Sequence, residues 1–183
     1  MLRLLEDCGG TTDTADDFLQ TPLHYAILNN KPKLYELLSP TNNHQRDKNG
    51  FTVLDYAALS SNLQALRVLS SDISAESMSD SNRAKLLYCA CASGNTKIID
   101  FLVQEINLPL TIADSSSLRN CLHYAVHFPD LDLNYLLSKG VIQQIIDDGD
   151  RSKRTPLHLA AIENNASACK LLLEYGSDAM CMD

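Results

Sequence analysis

The six residues Thr21-Pro22-Leu23-His24-Tyr25-Ala26 return almost unchanged near the other end of the chain, as Thr155-Pro156-Leu157-His158-Leu159-Ala160. Three weaker copies are Thr52-Val53-Leu54-Asp55-Tyr56-Ala57, Lys85-Leu86-Leu87-Tyr88-Cys89-Ala90 and Asn120-Cys121-Leu122-His123-Tyr124-Ala125. In chain order the copies begin 31, 33, 35 and 35 residues apart. A period of this length indicates a tandem array in which each unit is one small supersecondary structure.

Several positions are shared by all five copies. The third residue is always leucine and the sixth is always alanine. Apolar pairs recur later in each period, at Leu37-Leu38, Val68-Leu69, Phe101-Leu102, Leu136-Leu137 and Leu171-Leu172. Threonine can cap a helix and proline fits its first turn, so each copy predicts a short helix, a tight turn and a second helix. The predicted turns contain residues that tolerate positive φ: Asn29-Asn30, Gly94-Asn95 and Asn164-Asn165.

The period and the T-P-L-H-x-A motif resemble those of the ankyrin repeat family. The resemblance implies an all-α solenoid of helix-turn-helix repeats with projecting hairpin fingers. We expect one ankyrin repeat domain over residues 1–183, with a partial repeat at 1–15 and five recognisable repeats at about 16–46, 47–79, 80–114, 115–149 and 150–183. The repeat pattern stops in mid-period at both ends of the sequence, so we expect the chain to be a segment of a longer ankyrin repeat protein.

In this family each finger opens with the motif D-x-x-G. Asp47-Lys48-Asn49-Gly50 fits it in full. Residues 16–19, 80–83 and 150–153 keep the aspartate and lose the glycine, while 115–118 loses both, which predicts altered turns. The Ser-rich stretch from Ser70 to Ser81 is interpreted as a polar finger. Apolar residues within 106–110 and 141–146 predict packed insertions in the two longest periods.

Composition excludes several classes of protein. With 183 residues, 45% of them hydrophobic, the chain is neither a disulfide-dependent miniprotein nor a disordered tail. Its 15 basic and 23 acidic residues give a net charge of −8, which argues against a protein dedicated to nucleic acid or anionic membranes. No apolar run is long enough to cross a bilayer, and we expect no direct membrane insertion. The six cysteines are interpreted as reduced thiols in the cytoplasm, with the nucleus as the alternative compartment.

Some residues have the spacing of a metal site, but their positions in the repeat argue against metal binding and catalysis. Cys121, His123 and His127 have a spacing that zinc sites use, but His123 occupies the position of the repeat's structural histidine. No glycine-rich phosphate loop or nucleophile elbow occurs. We therefore expect no metal, no cofactor and no catalytic residues, and we predict that the chain is not an enzyme.

The resemblance implies that partners meet the finger tips and the outward residues at the end of each first helix. The corresponding tips are Lys48, Asn49 and Phe51; Ser81, Asn82 and Ala84; Ser116, Ser117 and Arg119; and Arg151, Ser152 and Arg154. The helix-end positions are Leu28-Asn29, Leu59-Ser60, Ala92-Ser93, His127-Phe128 and Ile162-Glu163. Exposed apolar residues at such positions are typical of an interface. The alternative is that some of them pack into the stack.

Charge differs between the fingers at the two ends. The first carries Asp13, Asp16 and Asp17, whereas the last carries Arg151, Lys153 and Arg154, with Arg119 one finger earlier. We hypothesise that the basic end docks an acidic segment of a protein partner. The alternative is local neutralisation of these bases by Asp147, Asp148 and Asp150.

Together these patterns predict a non-catalytic scaffold that binds a protein or peptide through its concave face and finger tips. The residues predicted to bind the partner are Phe51, Leu59, Arg119, His127, Phe128, Arg151, Arg154 and Ile162. The alternative is a cytosolic ankyrin segment that positions or regulates a larger channel, enzyme or transcriptional regulator. No nucleic-acid partner is expected.

Overall fold

The computed structural model describes residues 14–38, 45–70, 78–128 and 131–180. The chain divides into two compact units, Met1–Ile73 and Ser74–Asp183. The expected partial repeat at 1–15 lies almost entirely outside the described residues. So do Asp13 of the first finger and residues 71–77 of the Ser-rich stretch.

The first unit contains two helical hairpins among its described residues. Helix α1 (Pro22–Leu28) pairs with α2 (Pro32–Leu38), and α3 (Val53–Leu59) pairs with α4 (Leu63–Leu69). The first helices α1 and α3 pack on each other, as do the second helices α2 and α4. The two hairpins therefore stack in register within this unit.

The second unit repeats this arrangement with three hairpins. Its helices are α5 (Asp80–Ala92), α6 (Thr96–Gln104), α7 (Cys121–Ala125), α8 (Leu133–Leu137), α9 (Pro156–Ile162) and α10 (Ala166–Glu174). Helix α7 packs between α5 and α9, while α8 packs on α10 and on a short 3₁₀ helix, Gly140–Gln144. No strand occurs in either unit over the residues that the structure describes.

Four of the five described first helices begin where the repeated motif predicts, the exception being α5. Thr52 caps α3: its Oγ1 accepts a hydrogen bond from the backbone N–H of Asp55, and the Asp55 carboxylate accepts from the backbone N–H of Thr52 at 2.8 Å. In α1 the Nδ1 atom of His24 has the role of the Asp55 carboxylate: it accepts a hydrogen bond from the backbone N–H of Thr21 at 3.0 Å. Such reciprocal caps satisfy donors that a helix start otherwise leaves unpaired.

The repeated alanines lie where the helices approach most closely. The five alanines at the sixth position are between 0% and 4% exposed: Ala26, Ala57, Ala90, Ala125 and Ala160. A methyl group at these sites lets neighbouring first helices come together without a void. The alanine at the sixth position is therefore part of the contact between neighbouring repeats.

The turns within the hairpins and the two packed insertions also agree with prediction. Asn30, Gly94 and Asn164 have φ of 49°, 67° and 55°, the left-handed conformation that these residue types tolerate. The insertions contribute buried side chains to the second unit: Ile106, Leu108, Leu110, Ile142, Ile145 and Ile146.

The expected finger at residues 80–83 is wrong. The hydroxyl of Ser79 accepts a hydrogen bond from the backbone N–H of Asn82 at 3.4 Å and caps α5, which then runs unbroken to Ala92. Asp80 lies in the first turn of this helix, where a negative charge is favourable. Ala84, expected at a finger tip, is 2% exposed, and Ser81 and Asn82 are half-buried.

Candidate functional site

Three of the predicted helix-end residues are exposed leucine or isoleucine side chains. Leu28 ends α1, Leu59 ends α3 and Ile162 ends α9, and they are 45%, 40% and 64% exposed. Each helix is only seven residues long, and its buried face packs on the second helix of its own hairpin and on the first helix of a neighbouring hairpin. The last residue of each helix therefore points out of the stack.

Phe128, predicted with this group, is half-buried instead. Its ring lies 5.6 Å from that of Tyr88, which in turn makes an edge-to-face contact with Tyr124 at 5.0 Å. Phe128 also lines a cavity of about 210 Å³ beside Leu131 and Leu171. The alternative of packing into the stack thus applies in part to this residue.

His127 connects two adjacent hairpins of the second unit. Its Nδ1 atom lies 3.1 Å from Oε1 of Glu163, the residue that follows Ile162 at the end of α9. The imidazole and the carboxylate are 29% and 46% exposed. The pair therefore forms a polar edge beside the exposed Ile162.

The described fingers are organised around one aspartate each. In the full motif, Oδ1 of Asp47 accepts from the backbone N–H groups of Asn49 and Phe51 at 2.9 and 2.8 Å, and Oδ2 accepts from the Tyr56 hydroxyl at 2.7 Å. Burial raises the pKa of Asp47, but these hydrogen bonds outweigh it, and the net shift is downward. Phe51 is half-buried, with its ring 6.0 Å from that of Tyr56.

The expectation of altered turns is corrected for residues 16–19 and 150–153, whereas the turn before Leu118 is one residue longer than the others and is altered as expected. Leu19, Leu118 and Lys153 have φ of 59°, 57° and 60°, close to the 76° of Gly50 in the full motif. The turn of the full motif is thus retained without glycine at Leu19 and Lys153, because Asp16 and Asp150 still accept the backbone hydrogen bonds that define it. Non-glycine residues rarely adopt this conformation.

The fourth finger does keep an acid, one residue before the predicted segment 115–118. Asp114 accepts from the backbone N–H and the hydroxyl of Ser117 at 2.9 and 2.7 Å, and the N–H of Leu118 donates to its carbonyl at 2.7 Å. Burial raises the pKa of Asp114, but hydrogen bonds from Ser116 and Ser117 hold it at about 2. The acid and the left-handed position are separated by one residue more than in D-x-x-G, so this finger does not match that pattern.

Two of the predicted basic residues share one carboxylate. Arg154 Nη2 and Arg119 Nε lie 2.9 and 3.4 Å from Oδ2 of Asp150, which is 4% exposed. Burial raises the pKa of Asp150, but hydrogen bonds from Arg154 and the backbone N–H of Ser152 hold it at about 2. Local neutralisation therefore applies to Arg119 and Arg154, which stabilise the last finger and its link to the preceding one.

Arg151 and Lys153 are placed differently, on the exposed side of the same finger. Over the residues that the structure describes, neither side chain forms an ion pair. Both line a groove of about 510 Å³ between the last two fingers, with Leu118 on its other wall. Lys153 belongs to the basic end predicted from the sequence, whereas Leu118 was not predicted, although the loss of glycine from the finger motif marks its position.

The predicted residues thus fall into two groups on the second unit and one on the first. Arg119, Arg151 and Arg154 come together at neighbouring fingers, and His127, Phe128 and Ile162 lie at helix ends of the same unit. Phe51 and Leu59 belong to the first unit.

The histidine and cysteine residues weighed for metal binding have structural contacts. His123 is buried; its Nε2–H donates to the carbonyl of Arg154 at 2.9 Å, and burial lowers its pKa. Burial also raises the pKa of the Cys121 thiol to about 12, so this sulfur is held as a thiol. Within the described part of the chain, no three histidine, cysteine, aspartate or glutamate side chains are grouped to hold a metal ion.

None of the described helices is both long enough and apolar enough to span a bilayer.

Comparisons with known proteins agree with this architecture. The sequence model for ankyrin repeats (three copies) matches residues 1–77 and 110–183. The chain is 31% identical over 166 residues to palmitoyltransferase AKR1 of Debaryomyces hansenii, and 31% identical over 129 residues to the ankyrin repeat protein FPV014 of fowlpox virus. These matches cover 82% and 70% of this chain but only 20% and 28% of the relatives.

A solved structure confirms the predicted fold class. The ankyrin repeat domain of Bcl-3, a member of the IkappaB protein family, matches with a TM-score of 0.73 and 20% identity, over 100% of this chain and 81% of that one. At this identity the likeness concerns the fold alone. With the stacked hairpins, the reciprocal caps and the family match over both ends, it leads to one conclusion: the chain belongs to the ankyrin repeat family.

Proposed function

We propose that the chain is a non-catalytic protein-interaction module that binds a protein or peptide partner through its first-helix ends and finger tips. The observation that carries the proposal is the recurrence of exposed apolar side chains at one repeat position. Leu28, Leu59 and Ile162 occupy it in three hairpins and are 40% or more exposed. Folding gains little from such residues, whereas an interface gains most from apolar groups that it can desolvate.

Within each unit, other residues can add to the apolar contact at these positions. Phe51 and Phe128 present half-buried rings, which can widen an apolar contact without a large loss of side-chain freedom. His127 and Glu163 supply a polar edge next to Ile162. An apolar centre with a polar border is the usual composition of a specific interface.

The basic fingers support an acidic segment in the partner. Arg151 is exposed, and Arg119 and Arg154 keep 27% and 36% side-chain exposure while they bind Asp150. Two guanidinium groups on one carboxylate leave a net positive charge at this finger. Complementary charge steers a partner and fixes its orientation. Arg151 is accordingly the best placed of the three to contact it directly.

A second candidate function is regulation of a larger protein, in which this segment positions or controls a catalytic or transport domain in the cytoplasm. The observation that favours it is the coverage: the match spans a fifth of a palmitoyltransferase. The two functions are compatible, because a regulatory segment also acts through a protein contact.

Peptide selection tests the first proposal. Linear peptides selected on the chain from a display library should bind more weakly to Leu59→Ser and Ile162→Ser, by roughly tenfold each where the side chain is in contact. The matched controls are Leu34→Ser and Leu173→Ser, which remove leucines that are 40% and 47% exposed on second helices α2 and α10 of the same two units. Equal binding by the first pair and the controls would contradict the proposal.

A further inference from the structure

Three fingers place a large exposed side chain where the backbone favours glycine. The left-handed positions are occupied by Leu19, Leu118 and Lys153, and the two leucines are each 47% exposed. In this conformation the Cβ atom lies close to the following carbonyl oxygen, which is why glycine is preferred. Because these leucines are largely exposed, the burial of their side chains offsets little of that strain. Such strain marks a candidate functional position where the side chain also lines a possible binding surface.

Two of these residues face the same groove. Leu118 and Lys153 line the space of about 510 Å³ between the last two fingers, together with Arg151. The fingers are joined by a hydrogen bond from the backbone N–H of Arg151 to the carbonyl of Ser117 at 2.8 Å, and by the contact of Arg119 with Asp150. The walls of the groove are therefore held at a defined separation.

Gly149, which also lines the groove, lies close to the backbone of Lys153. A Cβ atom added to Gly149 would lie 3.0 Å from the Cα of Lys153, so a side chain there would push the backbone of the finger by a few tenths of an ångström.

The charged residues around the groove differ in whether they have a bonding partner. Asp150 is occupied by Arg119 and Arg154, and Oδ1 of Asp147 accepts from the hydroxyl of Ser177 at 2.7 Å and the backbone N–H of Asp178 at 3.0 Å. Among the described residues, Arg151 and Lys153 have no carboxylate of their own. The groove thus combines the apolar side chain of Leu118 with two cations that have no ion-pair partner among the described residues, and with the carboxylate of Asp147.

We propose that this groove docks a linear segment of the partner protein in which one large apolar side chain is flanked by aspartate or glutamate. The apolar side chain would pack on Leu118, and the flanking carboxylates would pair with Arg151 and Lys153. This inference rests on the proposed protein-binding function and assigns it a location and a partner chemistry. A nucleic acid would use the cations but gain nothing specific from Leu118.

Glycine substitutions separate this role from a structural one. Leu118→Gly and Lys153→Gly remove the side chain and the strain together, so both variants should unfold at a higher temperature than the parent chain. Both should bind more weakly, by about tenfold each, to a fluorescein-labelled peptide with one leucine between glutamates. A merely structural residue would not combine higher stability with weaker binding.

Leu19→Gly is the matched control. It has the same residue type and nearly the same φ but lies in the first unit, so it should raise stability and leave peptide binding unchanged. Peptides with serine in place of leucine, or glutamine in place of glutamate, should each lose affinity for the parent chain. Fluorescence anisotropy measures every case.

Several outcomes would overturn the groove assignment. Binding that is equal in the parent, Leu118→Gly and Lys153→Gly would do so, as would no binding of the peptide to the parent chain. Labelled single-stranded DNA bound as tightly as the peptide, without dependence on Leu118, would assign the cations to a polyanion instead. If library peptides still depend on Leu59 or Ile162 while the groove variants behave like the parent, the groove fails and the proposed function stands.

Discussion

At the scale of single residues, Asp150 organises the last finger. Its carboxylate accepts from two backbone N–H groups of its own turn and from the guanidinium groups of Arg154 and Arg119. The same side chain thus shapes one finger and joins it to the one before. The sequence offered Asp147, Asp148 and Asp150 as equal candidates, because burial and turn geometry are not visible in a run of acids.

Removing this carboxylate should destabilise the second unit. Asp150→Ala leaves two turn N–H groups and two partly buried guanidinium groups without their acceptor, so we expect a loss of about 2 to 3 kcal/mol in the free energy of unfolding. Urea denaturation followed by circular dichroism measures it. Asp148→Ala is the control, since Asp148 is exposed and its removal should stay within about 0.5 kcal/mol. Similar losses for both variants would contradict this role.

At the scale of helices, close packing depends on the small residue at the sixth position of each repeat. In α9, Ala160 is 0% exposed, whereas the next residue, Ala161, is exposed. Two alanines with the same helix propensity therefore face opposite environments on one helix.

This pair gives a sharp test of the stacking contact. Ala160→Leu should lower the free energy of unfolding by about 1 to 3 kcal/mol, because extra methylene groups cannot fit between the helices. Ala161→Leu should change it by less than about 0.5 kcal/mol. Thermal and chemical unfolding of the two variants provides the comparison, and equal effects would show that α9 is not packed as described.

Helix positions were largely predictable, and finger turns were not. The motif at Thr21 and Thr155 carries its own cap, so the start of each helix follows from local residues. Whether a turn or a helix follows Asp80 depends on Ser79 as a cap, which the repeat spacing does not show. Leu118 was missed at the site because its left-handed backbone and its position beside the groove follow from the folded finger and not from its residue type.

At the scale of the whole molecule, buried titratable groups link stability to pH. His24 and His123 are each 0% exposed, one in each unit, and burial lowers the pKa of both below the ordinary 6.5. The pKa values of Asp114 and Asp150 are about 2 against an ordinary 3.8. In all four cases the unfolded chain binds protons at a higher pH than the folded one.

Stability should therefore fall in two steps as the solution is acidified. The first step begins near pH 6.5, because below this pH the histidines are protonated in the unfolded chain while the buried ones stay neutral in the folded chain. The second begins near pH 3.8 and ends at about 2, as the carboxylates of the second unit lose their bonded, ionised form. Urea midpoints measured across this range should decline in both windows, and a midpoint independent of pH would contradict the prediction.

The backbone hydrogen bonds between neighbouring fingers have a consequence for how the residues at the finger tips can vary in sequence. Lys48 N–H donates to the carbonyl of Phe18, and Arg151 N–H donates to that of Ser117, so in both units the spacing of adjacent tips is set by main-chain atoms. Every non-proline residue carries these atoms. Tip side chains can therefore be exchanged, one at a time, without changing the distance that a ligand has to bridge.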